Sequence, residues 1–175
     1  MSGGEGGPGG GGEEEGRSGS GGMAGVARAT VNRLAPGLAV GRGAKARAAA
    51  TAVRTDQAPE PLGPYSQAIR SGDTLWVSGC IGLIPGTKAF AEGGVVGEAE
   101  QVMKNMGAVL EAGGATFDDV VKTTVLVADM ADFAKVNSVY EKFFSKSKPA
   151  RSCFAVKELP LGALVEIECV ASFAE

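Results

Sequence analysis

Two side chains in the C-terminal part of the chain, Arg151 and Glu166, have types and spacing that suggest a reaction site. Arg151 precedes an apolar, β-prone run at residues 152–156, and Glu166 lies in a second such run at residues 164–173. A guanidinium is a rigid fork of donors that holds a carboxylate through two parallel hydrogen bonds. On neighbouring strands, the pair would form a site for a small anion and a water. The alternative is a surface or structural ion pair, which is commoner than an active site.

The residue types that are absent narrow the chemistry further. The chain contains no histidine, which excludes histidine-based triads, histidine–metal sites and imidazole general bases. Cys80, Cys153 and Cys169 fit neither a zinc spacing nor a disulfide framework. We interpret them as buried small hydrophobic residues in a reducing compartment. No apolar run approaches the roughly 20 residues that a membrane-spanning helix requires, so we expect neither a metal nor a membrane partner.

The first 55 residues are expected to lie outside the folded domain. Residues 1–22 are almost all Gly, Ser and Glu, a composition typical of disorder. Residues 23–55 contain six basic residues and no acidic one, which is typical of an organelle transit peptide. The alternative is a disordered basic tail that contacts nucleic acid, and either Met1 or Met23 could be the start. The predicted folded domain is therefore residues 56–175.

The charge of that domain bears on its partners. Residues 56–175 contain 16 acidic and 10 basic residues, which gives a net charge of −6. Proteins that bind the phosphate backbone usually present a basic face. The domain is therefore not expected to bind nucleic acid.

Hydrophobic periodicity predicts an α+β fold with a mixed β-sheet of about five to six strands and two helices packed on one face. The first helix is predicted to end at Gly113-Gly114, and Asp129 or Asp132 is expected to cap the second. The predicted elements are strands 65–70 and 74–79, a helix over 98–112, a strand over 120–127, a helix ending near residue 144, and strands 152–156 and 164–173.

Alternation along the last strand predicts which residues face the helices. Val165, Ile167, Cys169 and Ala171 share one face, and Leu164, Glu166, Glu168 and Val170 share the other. The second face mixes aliphatic side chains with carboxylates, and an uncovered patch of this kind is usually an interface. We expect a symmetric oligomer that uses this face, although a monomer with one wet sheet face is a common alternative.

Several short fragments resemble the Rid (reactive intermediate deaminase, formerly YjgF) family when they are taken together in order. The resemblance spans roughly residues 56–174 and lies in the following fragments: Gly63-Pro64-Tyr65-Ser66-Gln67-Ala68, Val77-Ser78-Gly79, Asn105-Met106, Val121-Lys122-Thr123-Thr124-Val125, Asp132-Phe133 with Val136-Asn137 and Tyr140, Pro149-Ala150-Arg151-Ser152, and Glu166-Ile167-Glu168.

This resemblance implies a chorismate-mutase-like homotrimer with sites in the clefts between subunits. It implies hydrolysis of reactive 2-imino acids, such as 2-iminobutanoate and the imine tautomer of 2-aminoacrylate, to 2-oxo acids and ammonia, without a metal or cofactor. The alternatives are a non-catalytic trimer that binds small carboxylates or regulates a partner, and an RNA-directed role. The leader and residues 82–85 are similar to plant-type members, which implies a plastid location, with the mitochondrion as the alternative.

The resemblance also implies catalytic roles for four residues. Arg151 is similar to the family's substrate-carboxylate arginine, and Glu166 to the acidic residue near the attacking water. Tyr65 and Ser78 match positions that line the cleft and hold the imine end of the substrate.

Three further positions are implied to bind the substrate. Gly79 and Cys153 match positions that offer backbone groups to the ligand, and Asn137 matches an asparagine that lines the site. Cys80 departs from the family pattern, because many members carry glutamine there. Cys153 is not expected to be a nucleophile, since Arg151 is the only nearby residue that would lower its pKa.

Overall fold

The computed structural model of the chain describes residues 49–173. The predictions for the first 48 residues, including most of the transit peptide and the choice between Met1 and Met23, lie outside this range. Within it, no helix combines the length and apolarity needed to cross a membrane.

One six-stranded sheet forms the centre of the fold, with the strand order β1-β2-β3-β6-β4-β5. All neighbouring strands run antiparallel except β4 and β5, which are parallel. The predicted mixed sheet of about five to six strands is therefore confirmed. The strands are β1 (Thr51–Val53), β2 (Ala68–Ser71), β3 (Thr74–Ile81), β4 (Val120–Val127), β5 (Ala150–Ala155) and β6 (Val165–Ser172).

Two helices, α1 (Gly94–Ala112) and α2 (Phe133–Phe143), pack on one side of this sheet. The apolar stripe of α1 is buried against β3 and β6. As predicted, alternate residues of β6 face the helices: Val165, Ile167, Cys169 and Ala171 are each at most 3% exposed. Glu166 and Glu168 consequently lie on the other side of the sheet.

The predicted element boundaries were wrong at three places that bear on the site. Helix α1 begins at Gly94 rather than residue 98, because Val95 and Ala99 are buried in the core and hold an extra turn. Strand β2 begins at Ala68 rather than residue 65, so Tyr65 lies in a loop. Strand β5 begins at Ala150, which places Arg151 within the strand instead of before it.

Strand β1 lies upstream of the predicted domain start at residue 56. It pairs antiparallel with β2, with Thr51 opposite Arg70 and Val53 opposite Ala68. Val53 also packs against the core. The sheet therefore includes residues that composition alone assigned to the leader. Three residues are too few to show the alternation of apolar and polar side chains that predicts a strand.

The side of the sheet away from the helices, here called the open face, carries large exposed rings. Trp76 of β3 is 56% exposed and Phe154 of β5 is 57% exposed. Among residues 49–173, one end of this face is covered by a small cluster in which Ile81 packs with Leu159 and Ala163. An uncovered apolar patch of this kind agrees with the expectation of an interface between chains.

Candidate active site

Arg151 is held on the helix side of the sheet by uncharged groups. It lies in β5, the last strand of the sheet, directly opposite Thr123 of β4. Its Nη1 donates a hydrogen bond of 2.8 Å to Asn137 Oδ1 on α2. The guanidinium carbon lies 4.8 Å from the centre of the Tyr140 ring and 5.7 Å from that of Phe133. We call these four residues, Arg151, Asn137, Tyr140 and Phe133, the arginine half-site.

The arginine half-site is built on one face of α2. Phe133, Asn137 and Tyr140 are spaced by four and then three residues, a spacing that places side chains in one row along a helix. Beside this row is a cleft of about 470 Å³ lined by Asn137, Tyr140, Arg151 and neighbouring residues. Apart from the bond to Asn137, Arg151 makes no side-chain hydrogen bond and no ion pair within residues 49–173. Most of its N–H donors are therefore available to a ligand.

Glu166 lies in a second cleft, on the open face. This cleft has a volume of about 340 Å³. Within the described residues, the carboxylate of Glu166 accepts no hydrogen bond, so its oxygens are free to meet a water or a ligand. The carboxylate half-site, as we call it, is lined by Leu62, Tyr65, Ser78, Gly79, Ile81, Pro160, Glu166 and Glu168.

A glycine and a β-bulge make room for Glu166. The pairing of β3 with β6 shifts register between Val77 and Cys80, which inserts one extra residue there. A Cβ added at Gly79 would overlap the Glu166 carboxylate and come within 2.8 Å of its carboxyl carbon. Only glycine therefore lets the carboxylate lie over the strand in this position.

The bulge also fixes Ser78. The Ser78 backbone N–H donates to Gln67 O at 3.0 Å, and its hydroxyl donates to Ser66 O at 2.7 Å. Because the hydroxyl proton is committed to Ser66, the Ser78 oxygen is left as an acceptor facing the cleft.

Tyr65 has the opposite hydrogen-bonding state. Its hydroxyl oxygen accepts from the Leu62 backbone N–H at 3.1 Å, which leaves the phenolic proton free to donate. The wall that carries Tyr65 is anchored by Gln67, whose buried amide accepts from Thr55 N at 2.7 Å and donates to the Thr55 and Pro59 carbonyls.

The environment of Glu166 favours its protonated form relative to an exposed carboxylate. Burial raises the pKa of Glu166 above its ordinary value of 4.5, and the negative charge of Glu168 raises it further. The shift moves this carboxyl group in the direction that general acid–base chemistry near neutral pH requires.

The thiols near the site are poor nucleophiles. Burial, assisted by the charge of Glu166, raises the pKa of Cys80 to about 12. Burial also raises the pKa of Cys153, and the opposing effect of Arg151 is smaller. Both groups therefore remain protonated at neutral pH, as expected of cysteines that act as small hydrophobic residues.

The structure does not bring Arg151 and Glu166 together within one chain. The expectation that their strands are neighbours was wrong, because β4 lies between β5 and β6. Arg151 lies on the helix side of the sheet and Glu166 on the open face. From the register through Thr123 and Cys169, their Cα positions are roughly 14 Å apart. Among the sequence-predicted residues, Tyr65, Ser78, Gly79 and Glu166 share one half-site, and Asn137 and Arg151 share the other.

Cys153 lies two residues beyond Arg151 in β5. Its side chain packs against the core, while β5 forms the end of the sheet order and so leaves one side of its backbone unpaired within the described residues. Its backbone is thus placed to serve a ligand held by Arg151.

Sequence reasoning missed the site roles of Tyr140, Phe133 and Gln67. All three residues lie in fragments that carry the family resemblance, but those fragments did not indicate that the two rings contact Arg151 or that Gln67 anchors the wall of the other cleft. Within residues 49–173, no three of the His, Cys, Asp and Glu side chains lie close enough together to hold a metal ion.

Comparison with known proteins identifies the family. A family model described as Endoribonuclease L-PSP matches residues 55–173, which is most of the chain. The chain belongs to this family. The resemblance to Rid proteins is confirmed by relatives whose names include Reactive Intermediate Deaminase A and 2-iminobutanoate/2-iminopropanoate deaminase.

Family members from distant organisms match over the same region. The chain is 51% identical over 120 residues to Reactive Intermediate Deaminase A, chloroplastic, of Arabidopsis thaliana, covering 69% of this chain and 64% of that protein. It is 49% identical over 119 residues to the 2-iminobutanoate/2-iminopropanoate deaminase of Mus musculus, covering 68% of this chain and 88% of the mouse protein. The crystal structure of RidA from the Antarctic bacterium Psychrobacter sp. PAMC 21119 superposes with a TM-score of 0.68 at 41% identity, over 70% of this chain and 99% of that one.

The contact between Gly79 and Glu166 generates a first prediction. In Gly79→Ala, the new methyl group must displace the Glu166 carboxylate, so activity should fall at least about tenfold. Because only the end of a flexible side chain has to move, the melting temperature should change by no more than about 4 °C. Gly63→Ala is the control, since an added Cβ there meets nothing closer than the Tyr65 ring at 3.7 Å. Full activity in Gly79→Ala would show that the position of Glu166 does not matter.

The pKa of Glu166 generates a second prediction. If Glu166 acts as the base, kcat/KM should rise with pH through its raised pKa, above 4.5, and be lost as the pH falls through it. Glu168→Gln removes the like charge, so the acid limb of the profile should move to lower pH. Profiles of the two proteins are compared with one substrate, which cancels the substrate's own titration. An acid limb that stays in place or moves to higher pH in Glu168→Gln would contradict this account.

Proposed function

We propose that the chain hydrolyses reactive 2-imino acids, including 2-iminobutanoate and 2-iminopropanoate, to 2-oxo acids and ammonia. The observation that carries the proposal is an arginine whose partners within residues 49–173 are all uncharged, in a family whose relatives are named for this reaction. A guanidinium that lines a cleft and forms no ion pair within residues 49–173 is suited to the carboxylate that every 2-imino acid carries.

We infer that the working site forms between two chains of a homotrimer. The two half-sites of one chain face different sides of its sheet, so Arg151 of one chain would meet Glu166 of a neighbour. A cyclic trimer supplies three such clefts, each from a heterologous contact that closes into a ring. The exposed Trp76 and Phe154 rings on the open face support burial of that face by neighbouring chains.

Substrate placement is the first task of the two-chain site. Arg151 would hold the substrate carboxylate through its free N–H groups, with further hydrogen bonds from the backbone at Cys153 and Gly79. The imine carbon would then point toward Glu166. Fixing two reactants in a productive geometry is worth up to about 7–11 kcal/mol in favourable cases, and a reactive imine requires less.

The chemical steps follow from the hydrogen-bonding states described above. Glu166 takes a proton from a water as the water oxygen bonds to the C=N carbon, and the π electrons move to nitrogen. Tyr65, whose phenolic proton is free, would protonate that nitrogen, and the Ser78 oxygen would accept from its N–H. Glu166 then returns its proton to the amine. The C–N bond breaks as the carbinolamine hydroxyl gives its proton to the Tyr65 phenolate, which restores Tyr65 and yields the 2-oxo acid and ammonia.

The alternative of an RNA-directed role has one observation in its favour, the description of the family model as Endoribonuclease L-PSP. The net charge of −6 over residues 56–175 argues against a tight grip on a phosphate backbone. We therefore propose small-molecule imino acids as the partners, without nucleic acid or a membrane.

A plastid is the proposed location. The Arabidopsis relative is named as chloroplastic, and residues 23–55 have the basic, acid-poor composition of a transit peptide. The mitochondrion is the alternative, because its targeting segments share this composition.

A coupled assay tests the proposed reaction. Threonine dehydratase generates 2-iminobutanoate, and this protein should accelerate the appearance of 2-oxobutanoate. Arg151→Ala should lower that acceleration at least about 100-fold, because the substrate loses its anchor. Arg54→Ala is the control, since it removes a positive charge from an exposed ion pair with Glu60. Near-normal activity in Arg151→Ala would defeat the assignment, and a non-catalytic carboxylate binder would show no acceleration in any form.

Mixed trimers test whether two chains share the site. Arg151→Ala and Glu166→Gln chains, each inactive alone, are mixed in equal amounts, unfolded and reassembled together. Random assortment should leave about a quarter of the clefts with both functional residues, so activity should return to roughly that fraction of the wild-type value. Reassembly of each variant alone is the control. No recovery in the mixture would place both residues within one chain or remove one of them from the reaction.

A further inference from the structure

Arg151 has only uncharged partners among residues 49–173, a feature that it shares with Arg70 and Lys122. Arg54, Lys135 and Lys142 each pair with a carboxylate. Arg151 instead contacts an amide oxygen and two aromatic rings. A carboxylate in that place would compete with an incoming acid for the guanidinium, whereas uncharged partners hold it while leaving its charge uncompensated.

Tyr140, the nearer of the two rings, is itself fixed at its far end. Its hydroxyl forms a 2.8 Å hydrogen bond with the hydroxyl of Thr123, which is fully buried in β4. Its ring also packs against Phe144, with centroids 4.4 Å apart. The tyrosine is only 7% exposed, so its ring has little freedom to tilt.

These contacts form a closed loop through the strand pair. Thr123 lies directly opposite Arg151 in the parallel register of β4 and β5. Its side chain reaches up to Tyr140, and the Tyr140 ring lies beside the Arg151 guanidinium. The orientation of the guanidinium is therefore set by contacts that lead back to β4 and β5. The hydrogen bond to Asn137 fixes one of its nitrogen atoms.

We propose that Tyr140, held by Thr123, is a positioning residue that fixes the Arg151 guanidinium for the substrate carboxylate. The inference rests on the proposed function and adds to it two residues that act through Arg151. An arginine side chain has several rotatable bonds, and its bidentate contact requires one orientation of the fork. Fixing the Tyr140 ring limits the orientations of the Arg151 guanidinium before the ligand binds. Less conformational entropy is then lost on binding.

Two conservative variants separate positioning from packing. Tyr140→Phe keeps the ring and removes the hydroxyl, and Thr123→Val removes the partner hydroxyl while keeping the shape. Each should raise KM for 2-iminobutanoate about fivefold to tenfold and leave kcat within about twofold, since the carboxylate contact is used in both the ground and transition states. The double variant should be no worse than either single one, because both delete the same bond. Thr123→Ser restores the hydroxyl and should restore KM.

The binding of 2-oxobutanoate, measured by calorimetry, keeps this proposal distinguishable from the proposed reaction. The Kd of this unreactive carboxylate should rise in Tyr140→Phe and Thr123→Val by the same factor as KM. A wild-type protein that binds 2-oxobutanoate without deaminating imines, and whose variants bind it more weakly, would overturn the reaction and support the positioning role. If the wild-type protein deaminates imines and both variants keep its KM and Kd, the positioning role alone is overturned.

Controls exclude a general loss of structure. Ser138→Ala, which removes an exposed hydroxyl bond to Lys135 O on the same helix, should leave KM, kcat and Kd unchanged. A merely structural role for Tyr140 would lower the melting temperature and the active fraction, and hence kcat, without moving Kd. Melting curves at one protein concentration accompany each measurement, because the stability of an oligomer depends on concentration.

Discussion

Alternation of side chains along a β-strand is the constraint on which the function of this chain depends. Successive residues of a strand point to opposite sides of the sheet, and here that rule sends Arg151 toward the helices and Glu166 toward the open face. No rotamer change in either side chain can bring the two groups together through the sheet. In the proposed two-chain site, each chain therefore carries both groups but needs a neighbour to bring them together, and the open face becomes part of that site.

The two half-sites reach their reactive states by different physical means. Arg151 has no ion-pair partner among residues 49–173, and its contacts are an amide oxygen and two aromatic rings. Glu166 is placed by the absence of a side chain at Gly79, and burial together with Glu168 raises its pKa. Among residues 49–173, neither Arg151 nor Glu166 has an ion-pair partner, and in the proposed reaction the substrate carboxylate and a water would fill these places.

The sequence was sufficient to predict the layers of the fold and the two sides of β6, because those follow from local periodicity. It could not predict that β4 separates β5 from β6, since strand order depends on long-range pairing. The first turn of α1 was not predicted, because its glycines disfavour a helix. Burial of Val95 and Ala99 in the core outweighs that preference. Tyr140 was recognised only as part of a family fragment, because spacing cannot distinguish a core aromatic residue from one that lies beside a guanidinium. The family fragments supplied the site residues that spacing alone left ambiguous.

The exposed rings of Trp76 and Phe154 also affect how the proposed trimer would assemble. In the proposed trimer, a subunit that has folded but not yet assembled exposes this apolar surface, and the edge of β5, unpaired within residues 49–173, adds free backbone N–H and C=O groups. Correct assembly of the subunits must then compete with aggregation. Refolding yield should therefore pass through an optimum of protein concentration, with too few encounters below it and too many wrong ones above.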